Sequence, residues 1–291
     1  MNYLDIISAM AQCCDMSLRD PIANTVDLGA LPFFPPHSPS IAASRAGFRF
    51  GDKGTHSSRT IMLTELTAVL AGIPGEANRG DYAAAIVSGN CLAKTTSATR
   101  RLTNQRLGEL YALDPACAIF RVLRQLWSRD EAGRPLLALL AALARDPLLR
   151  VTAPPVVLLP AGVELPRASI STALRDVVGE RFNDAVLDKV VRNAASSWAQ
   201  AGHLQGRTFK VRRRVQATPS AVAFALYLGH LAGFRSEELL TSGWAAAVDC
   251  SPSSARSLAL EAKRIGLIDL RGVGNIFEVG FERLDLAAVR R

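Results

Sequence analysis

The sequence predicts a mainly α-helical, multi-helical protein in which two modules close on a short β-hairpin. Three observations lead there. Apolar residues recur at i, i+3, i+4 and i+7 through most of the chain. Two leucine-rich stretches are apolar around nearly their whole circumference, as the centre of a bundle is. The order helix, glycine, alternating segment occurs twice, at 198–215 and at 261–281.

The chain has 291 residues, 49% apolar and 21% charged, which supplies real cores and excludes wholesale disorder. Lys plus Arg number 34 against 26 Asp plus Glu, a net charge of +8 and a pI near 9.7. A surface excess of that sign commonly answers a polyanion. Five cysteines (Cys13, Cys14, Cys91, Cys117, Cys250) form no C-x-x-C pair, which favours a reducing compartment and buried thiols. The first twenty residues lack the basic region and apolar core of an export signal. The most apolar run, Leu136 to Ala144, falls well short of the roughly 20 residues a spanning helix needs. The expectation is a cytoplasmic protein with no membrane partner.

Residues 1–55 read as an extended Pro-rich N-terminal arm, because the prolines of LPFFPPHSPS (31–40) exclude regular helix or central strand there. Phe33 and Phe34 fit either docking, on a partner or on the chain's own body, or an arm without fixed structure. The next unit, 56–153, is a helical, helix-turn-helix-like domain. It comprises TIMLTELTAVLAG (60–72), stopped at Gly72, and DYAAAIVSGN (81–90), with Asp81 as N-cap. TTSATRRLTNQRLGELYAL (95–113) follows, capped by Thr95, Thr96 or Ser97, and then the two leucine-rich helices. PPVVLLPAG (154–162) marks a domain boundary or a crossing strand. A middle helical/winged module spans 154–217, in which Leu187, Val190, Val191, Ala194 and Trp198 share one helix face. The last unit, 218–291, holds PSAVAFALYLGHLAGF, a short helical stretch, and SPSSARSLALEAKRIG leading into a hairpin.

In the two repeated units, Gly202 and Gly266 stop a helix in left-handed geometry. Hairpins follow around Gly206 and around RGVGN. Helices followed by a hairpin are the winged-helix variant of helix-turn-helix, with the hairpin as wing. In the C-terminal copy Ser251 or Ser253 caps the last helix. Ala255, Leu258, Ala262 and Ile265 make its inward stripe, and Ser253, Arg256, Ser257, Lys263 and Arg264 point outward; Leu260 is the misfit on that side. Arg271 lies on the hairpin beyond. In the first copy Arg207, Lys210, Arg212, Arg213 and Arg214 stand together without an acid, and strand alternation puts Arg212 and Arg214 on one face. A third basic surface lies within 82–108, where Lys94, Arg100, Arg101 and Arg106 have no carboxylate among them; Ser97, Arg100, Arg101 and Asn104 share a helix face. Three such surfaces point to duplex DNA, whereas a solvated face or a protein–protein module is the plainer reading of any one of them.

HSSRTIMLTELTAVL, then DYAAAIVSGNCLAKTTSATRRLTNQRLGELYAL, the leucine-rich pair and ALRDVVGERFNDAVLDKVVRNAASSWAQAGHLQG together resemble the BrxA family of bacteriophage-exclusion (BREX) defence islands, over roughly 56–285. The resemblance implies a mostly helical accessory protein with winged-helix or helix-turn-helix parts. Such a protein binds DNA, acts with other BREX proteins and has no enzymatic activity. On the matching stretch it carries over Lys94, Ser97, Arg100 and Arg101. The N-terminal arm lies outside it.

Catalytic signatures do not form. GFRFGDKGT (47–55) hints at a phosphate loop without satisfying G-x-x-x-x-G-K-[ST], and GVGNIF lacks a third glycine. His37, His56, His203 and His230 are scattered without ligand spacing, so neither a metal nor a cofactor is expected, and His203 reads as a surface or wing residue. There is no G-x-S-x-G elbow. A nuclease of dispersed carboxylates would leave no such signature. Two other readings stand beside the first: a winged-helix transcriptional regulator with a palindromic operator, and an assembly scaffold whose modules grip other proteins.

Overall fold

A helix whose every side faces protein sets the centre of the molecule. In the computed structural model, which describes residues 31–36, 40–273 and 276–286, α6 (Arg134–Arg145) is that helix. All nine residues from Leu136 to Ala144 are buried, as its unbroken leucine and alanine run requires. Around α6 pack α4 (Ser97–Tyr111), α5 (Ala118–Trp127), α10 (Asp184–Gln200) and α11 (Pro219–Ala232). The chain is mainly helical, and one apolar core runs from Phe33 to Leu284 among the described residues. Among the described residues no helix is long and apolar enough to cross a membrane.

The N-terminal arm is not wholly extended: Ser40–Ala46 forms α1. Ahead of it Phe33 docks on the chain's own body. Its ring meets Trp244 edge-on at 4.8 Å, its carbonyl accepts the Trp244 indole N–H at 2.8 Å, and Pro32 O accepts Gly243 N–H at 2.7 Å. Gly243 leaves the room, since a Cβ there would stand 2.9 Å from the Phe33 ring. Cys13 and Cys14 lie outside the described residues. Cys91 is exposed and Cys117 and Cys250 are half-buried, so the expectation of buried thiols fails for Cys91.

Then come α2 (Leu63–Gly72) and α3 (Arg79–Val87). The cap of α3 is Asn78, not Asp81; Asp81 is the third helical residue and closes a capping box by accepting Asn78 N–H at 2.8 Å. Thr96 caps α4. After α6, Asp146 caps α7 (Pro147–Arg150), and α8 (Ala153–Val157) takes its prolines in the first turn, so 154–157 is helix and not the crossing strand that was one of its two readings.

Residues 163–165 are extended and lead into α9 (Arg167–Val178); Asn183 then caps α10, which buries the predicted stripe of Leu187, Val190, Val191, Ala194 and Trp198. Gly202, at φ +89°, ends the helical run. The hairpin of β1 (Leu204–Gln205) and β2 (Val211–Arg212) pairs Leu204 with Arg212 and Gln205 with Val211. Residues 162–165 extend it on the other edge: Arg212 N–H donates to Val163 O at 2.9 Å and Leu165 N–H to Lys210 O at 2.7 Å.

Thr218 caps α11, and Gly233 ends it at φ +113°. Two short helices follow, α12 (Glu238–Thr241) and α13 (Gly243–Ala246). Next is α14 (Pro252–Arg264), capped by Ser251 and packed on α11. β3 (Asp269–Val273) and β4 (Ile276–Gly280) make the antiparallel C-terminal hairpin. Ala255, Ala259 and Ala262 face inward from α14. Ile265, expected inward, is 51% exposed, because the helix has ended at Arg264; the buried apolar residues that follow are Leu267 and Ile268.

Candidate nucleic-acid interface

The first hairpin keeps part of its cationic cluster outside. Arg207, Arg213 and Arg214 are exposed, and Lys210 is half-buried with its Nζ on Gly206 O at 2.6 Å. Arg212 does not belong to this surface. It is buried against Asp249, its guanidinium also donates to the Arg213 carbonyl, and both side chains of the ion pair are 1% exposed. Arg212 and Arg214 therefore do not share an outward face. The reason is local: β2 ends at Arg212, so strand alternation stops there. Phe209, at the hairpin tip, is 68% exposed and sits between the Arg207 and Lys210 positions.

Asp249 does more than neutralise Arg212. Its second carboxylate oxygen accepts Val215 N–H at 2.8 Å, and Arg214 Nη1 comes within 3.7 Å of its first. Two residues later the chain reaches Ser251, the cap of α14. His203 Nε2 lies 3.0 Å from Ala247 O on the same seam. The root of the first hairpin and the lead into α14 are thus locked together, which sequence spacing alone did not reveal. His203 is not a surface residue. It is fully buried edge-on against Trp198 at 4.9 Å. Burial pulls its pKa down to about 4; nearby Asp249 opposes that shift and Arg212 adds to it.

On α14 itself Ser253, Arg256, Ser257, Lys263 and Arg264 are exposed as expected, and so is Leu260. Several of these groups are nevertheless engaged. Arg256 pairs with Glu237 and covers the Phe277 ring, its Cζ 4.8 Å from the centroid. Lys263 Nζ donates to Leu270 O at 2.9 Å. Glu261 shares the exposed surface, and Arg271 is exposed directly across the hairpin from Glu278. Mixed signs make this face less cationic than its serines and arginines suggested.

The N-terminal cluster is mostly occupied with holding its own helices. Lys94 pairs with Glu65 at 2.9 Å, Arg100 closes α3 through Val87 O at 3.1 Å, Asn104 accepts from Arg79 at 3.0 Å, and Arg106 pairs with Glu109 at 2.8 Å. The acid that answers Arg106 lies just outside the acid-free stretch, and the one that answers Lys94 comes from α2. Ser97 and Arg101 are exposed, and Arg101 makes no hydrogen bond or ion pair among the described residues.

One constellation was missed because its members are far apart in sequence. Asp146 Oδ2 lies 2.8 Å from His56 Nδ1, and His56 Nε2 lies 2.7 Å from Ser197 Oγ. That is the connectivity of a nucleophilic triad. Its surroundings serve another purpose. All three side chains are buried, Ser197 Oγ accepts Ile61 N–H at 3.0 Å and donates to Asn193 O at 2.8 Å, and Asp146 also accepts His56, Leu148 and Leu149 N–H. Burial alone would raise the Asp146 pKa; the charge and hydrogen bonds of His56, with Leu149 N–H, outweigh it and hold the carboxyl low. The Oγ has no open approach for a substrate, so the trio is a cross-link between the 55–57 turn, the α6–α7 junction and α10. Among the described residues no group of three His, Cys, Asp or Glu side chains converges as metal ligands.

No protein-family model matches this chain, and no curated protein matches it.

Proposed function

We propose that this chain is a non-enzymatic protein that binds duplex DNA, with the β1–β2 hairpin as its principal wing. The observation that carries the reading is the arrangement around Asp249. One arginine of the cluster, Arg212, is buried in an ion pair with Asp249 at the lead into α14, while Arg207, Arg213 and Arg214 stay exposed on and just after the hairpin. Exposed cations on a hairpin beside a capped helix, Arg214 within 3.7 Å of Asp249 and Arg207 and Arg213 without an ion pair among the described residues, suit a phosphate backbone. In this reading residues 163–217 act as one winged-helix unit, whose strands flank α9 and α10, and 218–286 as a second. Exposed Phe209 then supplies an aromatic face or wedge to bases, flanked by cations that hold the strand.

The mixed charge around α14 favours backbone contact over operator reading, so we rank a transcriptional regulator lower. An assembly role draws on one observation, the exposed Leu260 and Ile265 at 55% and 51% on and just after α14. The resemblance to the BrxA family supports placing the DNA-binding role in cytoplasmic phage defence beside other BREX proteins.

Fluorescence anisotropy over a salt series tests the central reading. With Arg207, Arg213 and Arg214 changed to Ala, affinity for every duplex should fall. The slope of log affinity against log salt should flatten by about 3, at roughly 0.9 per phosphate contact. Unchanged affinity in a variant that keeps its circular-dichroism spectrum rules out this wing.

A further inference from the structure

The loop that hinted at phosphate chemistry in the sequence lines a cavity that the DNA-binding reading does not use. Arg49, Lys53 and Ser57 from residues 49–57, Arg106 and Glu109 from α4, and Arg181 from the turn after α9 surround about 280 Å³. Three segments distant in sequence therefore bring four cations to one place. Two are answered: Arg181 Nε by Asp52 at 2.8 Å, and Arg106 by Glu109 at 2.8 Å. Glu109 is further held by Thr55 and Gln105. Those hydrogen bonds, with Arg106, overcome the upward pull of its burial and keep it ionised. Among the described residues the Arg49 guanidinium hydrogen-bonds only to the Glu109 backbone carbonyl, at 3.4 Å, and Lys53 has no hydrogen bond or ion pair. The Arg106 Nε–H is buried without a partner. Two positive charges are thus left over in a recess rich in N–H donors, which matches the two charges and several acceptor oxygens of a terminal phosphate.

We propose that this cavity is a binding site for a phosphate terminus, a phosphomonoester or diphosphate end group, held by Arg49, Lys53, Arg106 and Arg181. Its volume admits the charged end and leaves the rest of the ligand outside. The end group can belong to a small phosphorylated compound or to the 5′ end of a nucleic acid. The site is separate from the β1–β2 wing and does not depend on the reading of that wing.

Isothermal titration of the full chain with pyrophosphate at low ionic strength tests it. Pyrophosphate should bind, and Lys53→Ala and Arg49→Gln should each weaken it by about tenfold or more, the effect of losing one charge-assisted hydrogen bond. Competition by 5′-phosphorylated but not 5′-hydroxyl oligonucleotide assigns the site to nucleic-acid ends; failure of both oligonucleotides to compete assigns it to small phosphorylated compounds. Absence of pyrophosphate binding, or binding that both variants retain at full strength, overturns the proposal. So does an equal loss of 5′-hydroxyl duplex binding in Lys53→Ala, which would make these cations part of a general backbone contact. Loss of duplex binding on alanine substitution of the wing arginines, with pyrophosphate binding intact, leaves this site standing.

Discussion

Asp249→Asn removes one charge and almost no volume from the seam between the first hairpin and α14. Asp249 sits at φ +57°, a region Asn tolerates as well as Asp, so the backbone gains no strain. An amide oxygen can still accept Val215 N–H. What changes is Arg212. Its side chain is 1% exposed, and it is pinned inside by the His203 and Arg213 carbonyls. The variant therefore leaves a buried guanidinium uncompensated, at a cost of about 3–5 kcal/mol. For a chain of this size each kcal/mol lowers Tm by about 2–4 °C, so the expected drop is about 6–20 °C. Differential scanning calorimetry at neutral pH reads it directly. The double variant Arg212→Met, Asp249→Asn should recover most of the loss, because no charge is then stranded. DNA affinity of the single variant should also fall, although every exposed cation is retained, since the wing loses its anchor. A Tm within about 2 °C of the parent, or a double variant no more stable than the single, would refute the claim that this pair locks the two units.

Two further outcomes follow from buried groups. His203 is held near pKa 4 against an unfolded value near 6.5, so the folded state keeps it neutral. The associated stability is complete above about pH 6.5 and is lost as pH falls toward 4, about 3 kcal/mol in all. Urea unfolding at pH 7, 5.5 and 4.5 should show His203→Phe losing about 2 kcal/mol less than the parent over that range; parallel pH profiles would dismiss the assignment. Ser197→Ala strands His56 Nε2 and Ile61 N–H in the interior and should cost about 2–4 kcal/mol. Consistent with a closed cross-link, the parent should not be labelled at Ser197 by a serine-directed fluorophosphonate; such labelling, read by peptide mass spectrometry, would restore the catalytic reading.

Helix positions were legible wherever a single chemical signal sufficed. Thr96, one of three cap candidates, the stripe from Leu187 to Trp198, and the all-round apolar run of α6 each state a local or one-sided requirement. Capping misled by one turn at α3, where Asp81 serves the box from inside the helix. The hairpins were visible through Gly202 and Gly266, both observed at positive φ, at +89° and +75°. The candidate interface was only half legible. Acid-free stretches of sequence suggested free cations, yet Glu65, Glu237 and Asp249 arrive from elsewhere, Glu109 stands one turn beyond Arg106, and the four occupy four of them.

The sequence by itself determined the mainly helical class, most element positions and the cationic excess, because propensity, caps and periodicity act within a turn or two of their own residues. Tertiary structure alone decided which charges reach solvent, that His56, Asp146 and Ser197 form an internal cross-link, and that four cations from three segments share one cavity. Most of these depend on contacts between residues tens to more than a hundred positions apart, and the free energy of a charge is set by what packs against it.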